Sequence, residues 1–129
     1  MTTGERMPQG GGTTGEATDG AALVRPDRAW FARDASAKAL LLDVREPWEV
    51  QTASVTPRGY ALLAIPMNQI PSRLPELGAY GRVACLCHHG ARSQHVAAYL
   101  SQHGFNDLAN VAGGIDAWAR QFDPAVPRY

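Results

Sequence analysis

From Ala21 onward the chain alternates short apolar runs with stretches of helical spacing. Ala39-Leu40-Leu41-Leu42-Asp43-Val44 is a continuous apolar run broken by one charge, the pattern of a strand buried on both faces, as in parallel sheets. Tyr60 to Ile65 is a second such run, stopped by Pro66, and Val83-Ala84-Cys85-Leu86-Cys87 is the clearest, bounded by Gly81 and His88. Leu108 to Val111 is short but of the same kind. Between them, apolar spacing predicts helices from about Pro26 to Ala35, from Asn68 to Leu77 with Pro71 near its start, from Ser93 to His103, and from Ile115 to Phe122. Val96, Ala97 and Leu100 form one stripe of the third. Gly104 stands where a left-handed C-terminal cap belongs, with Phe105 as its hydrophobic contact, and Gly113-Gly114 reads as a turn. Strands alternating with helices give an α/β fold: a parallel sheet with right-handed crossovers and helices on both faces.

The remainder changes this picture little. Met1 to Gly20, with Gly10-Gly11-Gly12 and no aliphatic residue larger than Met or Ala, lacks the apolar surface to offset its ordering entropy and reads as a flexible tail. Residues 21–129 then form one domain, long enough to need no disulfide or metal staple. Twelve basic residues balance twelve acidic ones, which argues against broad electrostatic binding of nucleic acid or of a membrane surface. No apolar run approaches the roughly 20 residues that span a bilayer. Cys85 and Cys87, one residue apart, do not resemble a secreted disulfide framework, so a reducing, cytoplasmic setting is expected.

Chemistry concentrates at one edge of the expected sheet. Asp43, Cys87 and Gly113-Gly114 each fall at the carboxyl end of a strand, the edge where open α/β sheets bind ligands. Cys87-His88-His89-Gly90-Ala91-Arg92-Ser93 is a tight strand-to-helix connection. Gly90 lets it curl so that successive N–H groups point inward, and the following helix adds its N-terminal N–H groups and positive dipole end. Such a cradle favours a thiolate and any anion attached to it, and Arg92 adds a fixed charge.

Cys87-x-x-Gly90-x-Arg92-Ser93 resembles the active-site loop of rhodanese-like sulfurtransferases. Three further stretches agree, in the family's order: Leu42-Asp43-Val44-Arg45-Glu46 with Trp48-Glu49, Ile65-Pro66-Met67, and Asn110-Val111-Ala112-Gly113-Gly114-Ile115-x-Ala117-Trp118. The likeness covers about Leu23 to Tyr129 and departs from the family between Thr52 and Ala64, where Ala53 to Tyr60 replaces its usual His-Ile-x-Gly-Ala-like approach. It implies a single rhodanese-like domain with a five-stranded, mostly parallel sheet. It also implies ping-pong sulfur transfer through a persulfide on Cys87, from thiosulfate or a persulfide donor to cyanide or a thiol, with no metal or other cofactor. The binding donors would be the amides from His88 through His89, Gly90 and Ala91 to Arg92, with Ser93 beside them. Asp43 is expected to hold Arg92 or the loop, and Arg45 to be structural or near the entrance.

Two other functions compete. One is a sulfur-relay or binding module whose partner is a protein. The other is a phosphatase or arsenate reductase, whose Cys-x5-Arg loop makes room for a tetrahedral oxyanion; here only four residues, His88 to Ala91, separate Cys87 from Arg92, which suits a single sulfur atom better. Cys85 reads as a small buried hydrophobe. Zinc held by Cys85, Cys87, His88 and His89 is disfavoured, because donors so close in sequence cannot easily converge in a tetrahedron. His88 and His89 either present only their amides, with rings in solvent, or assist an anionic donor as imidazolium. His95 and His103 are expected exposed on their helix, and Trp30, Trp48 and Trp118 in the core.

Overall fold

The computed structural model describes residues 21–24, 29–32 and 38–129; the expected tail, Met1 to Gly20, lies outside them, as does part of the expected helix from Pro26 to Ala35. Five parallel segments form one sheet in the order β1-β5-β4-β2-β3. These are β1 (Ala21–Val24), β2 (Ala39–Asp43), β3 (Ala61–Ala64), β4 (Arg82–Leu86) and β5 (Leu108–Val111). Side chains are described for β2 to β5, while β1 joins through its backbone pairing with β5. Among the described residues every strand pairing is parallel.

The two-residue alternation of a strand explains why the sheet's apolar runs are continuous. Leu40 and Leu42 face one core with Val83, Cys85, Cys87 and Leu108; Leu41 faces the other with Ala84, Leu86, Ala109 and Val111. Ile70, Leu77, Val96, Ala97 and Leu100 cover the first face. Trp30, Phe31, Ile115 and Trp118 cover the second. The run from Tyr60 to Ile65 forms only the edge strand β3, and its residues Ala61 to Leu63 are half-buried rather than enclosed.

The helices are α1 (Ala29–Ala32), α2 (Pro47–Thr52), α3 (Ile70–Arg73), α4 (Ala91–Ser101) and α5 (Gly114–Ala117). The stretch expected as one helix from Asn68 to Leu77 is three short turns, because Pro71 and Pro75 each restart the geometry at an N-terminal position. Beyond α5 the chain widens into a turn closed by the Asp123 N–H on the Trp118 carbonyl at 2.8 Å. Gly104, at φ +92°, ends α4 as expected, with the Phe105 N–H on the Leu100 carbonyl. Among the described residues no helix is long and apolar enough to cross a membrane.

Strand order fixes where a ligand can sit. The chain leaves β2 toward β3 on one side and β4 toward β5 on the other, so the crossovers diverge between β2 and β4. That divergence opens a crevice at the carboxyl ends of these two strands. The sheet itself is the rigid base. Leu41, fully enclosed and paired with Leu62 and Ala84, has no route to collapse if truncated. Leu41→Ala should therefore lower unfolding stability by about 2–5 kcal/mol in urea titrations, and a loss below about 1 kcal/mol would show that the sheet centre is loosely packed.

Candidate active site

Cys87 directly follows β4, is 1% exposed, and ends in a sulfur enclosed by its own loop. The Gly90 N–H donates to Sγ at 3.0 Å, and the Ser93 hydroxyl lies 3.3 Å from it. Gly90 reaches this position at φ +113°, where side-chain-bearing residues are strained. A Cβ there would meet the Gly113 nitrogen only at 3.6 Å, an ordinary contact; backbone conformation, not lack of room, requires glycine. α4 starts immediately afterwards and points its N-terminus at the loop. Cys85, on the same strand face, is sealed away, and burial together with the neighbouring Cys87 charge pushes its thiol up to about 12. Of the two cysteines, Cys87 is the one whose sulfur receives a loop N–H.

The Gly113-Gly114 turn supports the loop from the neighbouring strand. The Ile115 N–H donates to the Cys87 carbonyl at 2.8 Å and the Asp116 N–H to the His88 carbonyl at 3.1 Å. Gly114, at φ +64°, lies so close that a Cβ would collide with both carbonyls. The two glycines therefore let one backbone lie directly against another.

An ionic network closes the crevice, and its wiring differs from the sequence expectation. Asp43 does not hold Arg92; it takes Arg45 through two hydrogen bonds, Nε to Oδ1 at 2.9 Å and Nη2 to Oδ2 at 2.7 Å. Two residues apart on a strand end, they meet without any chain excursion. Arg45 is fully buried and also donates to the carbonyls of Glu49 and Ala53 and to the Tyr129 hydroxyl. Burial alone would lower its basicity, but the bonds and charge of Asp43 raise it, so Arg45 is a structural cation clamping α2.

Arg92 pairs instead with Glu49 of α2, Nη1 to Oε1 at 2.6 Å and Nη2 to Oε2 at 2.8 Å. Glu49 also takes the Glu46 N–H at the start of its own helix and the Tyr129 hydroxyl. Hydrogen bonds from Arg92, opposed by desolvation and helped by those from Tyr129 and Glu46, hold its carboxyl down at about 2. Arg92 thus braces α4 against α2, its charge largely neutralised. Glu49 was visible in the sequence only as part of Trp48-Glu49; neither the helix α2 that carries it nor its partner was read there, although the Glu46-to-Glu49 capping-box spacing was a signal for the helix start.

Rings line the outside of the loop. His88, half-buried, stacks between Tyr129 and the exposed His89, each at 3.9 Å between centroids. Its ring is therefore not free in solvent, and its Nε2 is enclosed without a hydrogen-bond partner. Trp48, expected in the core, is 61% exposed and meets Tyr129 edge-on. On α2 it lies against Tyr129, whose ring stacks on His88 of the loop, whereas Trp30 and Trp118 are buried as expected. Ala91 and His95 are exposed on α4, as is His103 beyond its end. Ligand atoms of His88, His89 and Asp116 lie within 4.8 Å of one another, but Asp116 already holds Arg120 and Arg128. That double commitment neutralises the carboxylate a cation would need.

Comparison with known proteins agrees with this geometry. The family model for the rhodanese-like domain matches residues 27–121, and the chain belongs to that family. It is 39% identical over 87 residues to a sulfurtransferase of Allochromatium vinosum, covering 67% of this chain and 78% of that relative. It is 34% identical over 93 residues to the adenylyltransferase and sulfurtransferase MOCS3-1 of Zea mays, covering 70% of this chain but 20% of the relative. Among solved structures, a rhodanese-related protein of Thermoplasma volcanium superposes with a TM-score of 0.63 at 29% identity, covering 83% of this chain and 98% of that one. These relatives support a transferase acting in sulfur transfer.

The Glu49–Arg92 pair has a defined pH signature. Because the folded carboxyl titrates near 2, below its ordinary 4.5, its stabilisation is complete above about pH 4.5 and is lost as pH falls toward 2. Glu49→Gln should melt below wild type at pH 7, with the gap narrowing steadily on acidification in thermal scans. A gap independent of pH would mean that the carboxylate charge does not hold Arg92.

Proposed function

We propose that this protein moves a sulfane sulfur from thiosulfate or a persulfide donor to cyanide or a thiol, through a persulfide on Cys87. The observation behind this reading is the sulfur cradle: one buried Sγ facing the Gly90 N–H and the Ser93 hydroxyl at the start of α4. In the first half-reaction the Cys87 thiolate attacks the donor's outer sulfur. An Sγ–S bond forms, the donor's S–S bond breaks, and sulfite or a thiolate leaves with the electron pair. In the second, the acceptor attacks that outer sulfur, the Sγ–S bond breaks, and Cys87 departs as thiolate. Sulfur exchange needs a thiolate and N–H donors rather than a general base. No metal or other cofactor enters this scheme.

The curl is short. With four residues between Cys87 and Arg92, and Arg92 tied to Glu49, the loop favours one bonded sulfur over a tetrahedral oxyanion. A second reading, relay to a protein-bound thiol, is supported by Trp48, a large exposed aromatic beside Tyr129, whose ring stacks on His88 of the loop. Rates with small thiols against a protein persulfide acceptor separate the two.

Intact-mass measurement after thiosulfate or polysulfide treatment tests the main reading. Wild type and Cys85→Ser should each gain one sulfur atom on Cys87, and Cys87→Ser should gain none. Loss of the added sulfur in both folded mutants would mean that the cysteines act as a dithiol, and absence of any gain in wild type would exclude sulfur transfer.

A further inference from the structure

We propose that Asn110 is a positioning residue that sets which way the Ser93 hydroxyl points, and thereby how strongly Cys87 is held as a thiolate. This deepens the sulfur-transfer reading, on which only its catalytic consequence rests. Asn110 is 4% exposed, sits in β5 paired with Cys85, and shares the α4 side of the sheet with Cys85 and Cys87. Its orientation is determined by its neighbours. The Gly90 carbonyl can only accept, and Asn110 Nδ2 donates to it at 3.1 Å and to Gln94 Oε1 at 3.0 Å. The amide oxygen must then face Ser93, whose Oγ lies 2.5 Å away.

Ser93 has one hydroxyl proton and three acceptors within reach: Asn110 Oδ1 at 2.5 Å, the Gly90 carbonyl at 3.2 Å and Cys87 Sγ at 3.3 Å. Distance gives the proton to Asn110. The Ser93 oxygen then turns a lone pair toward the sulfur, an arrangement suited to a thiol donating its own S–H. A thiolate needs the opposite, with the hydroxyl turned to donate to Sγ. Asn110 therefore competes with the sulfur for one proton and restrains the thiolate, while its Nδ2 holds the loop in shape. Because a lower-pKa thiol leaves faster, the same rotation governs release of Cys87 when the acceptor takes its sulfur.

The other charged or titratable groups that feel this sulfur among the described residues are Arg92 and Cys85, with His88 next in sequence; the Asn110 side chain bonds Ser93, Gly90 and Gln94 rather than any of these. The test is the pH dependence of Cys87 alkylation by iodoacetamide, with the modified residue identified by peptide mass. Asn110→Ala and the bulkier Asn110→Leu should both move the midpoint down, by about one pH unit. Ser93→Ala should move it up, and Ser93→Ala/Asn110→Ala should match Ser93→Ala alone, because the proton for which Asn110 competes with the sulfur is the Ser93 hydroxyl's. A midpoint that stays or rises in both folded Asn110 variants overturns the proposal, as does an Asn110→Ala shift that persists without Ser93. The two variants leave different volumes, so a packing defect in one does not decide the result. Alkylation requires no sulfur donor, so this outcome is independent of whether Cys87 gains a persulfide.

Discussion

A chain that leaves the buried end of a strand and enters a helix within a few residues must turn sharply, and here that turn is made on a sulfur atom. The Gly90 N–H closes onto Cys87 Sγ, which only a positive φ permits. The Gly90 carbonyl is in turn fixed by Asn110 and by the Gln94 N–H of α4. From the next strand, Gly113-Gly114 lets the backbone of α5 hydrogen-bond the carbonyls of Cys87 and His88. The cradle is thus held by main-chain bonds on both sides, and its main-chain donor, the Gly90 N–H, needs no rearrangement to face the sulfur.

The second constraint is the split between β2 and β4. Crossovers that diverge leave a gap, and this protein bridges it with buried charge: Asp43 to Arg45, Arg45 to the carbonyls of α2, Glu49 of α2 to Arg92 of α4. Such a network contributes modestly when whole, because desolvation offsets attraction, yet removing one partner of a buried pair costs about 3–5 kcal/mol. It makes the relative position of α2 and α4 all-or-none. Tyr129 ties the two halves together, its hydroxyl between Arg45 and Glu49 and its ring on His88.

The fold was largely legible because parallel strands buried on both faces announce themselves as unbroken apolar runs, and β2 and β4 are such runs. β3 was read as equally enclosed because an edge strand of Ala and Leu has the same composition. Within the site, Cys87, Gly90 and Ser93 are local in sequence, so spacing alone brought them together. The partner of Arg92 was not legible: Glu49 is 43 residues away, and a carboxylate in a helical first turn has a sufficient local reason to be there. Asp43 was the apparent candidate, yet its neighbour two positions along a strand end was nearer. Trp48 misled because a tryptophan usually indicates core, and only the facing of α2 shows otherwise.

The account turns on loop length: a short curl aims the Gly90 N–H at one sulfur atom. Inserting one glycine between Gly90 and Ala91 widens it to the Cys-x5-Arg spacing while leaving sheet and helices in place. Donors displaced by an ångström or so lose most of their effect, and one lost donor typically costs about 10²–10³ in rate. The decisive measurement is the rate of sulfur gain on Cys87 by time-resolved intact mass after thiosulfate addition. A folded insertion variant should gain sulfur at least about 100-fold more slowly than wild type; gain at the wild-type rate would contradict the claim that the length of this loop sets its chemistry.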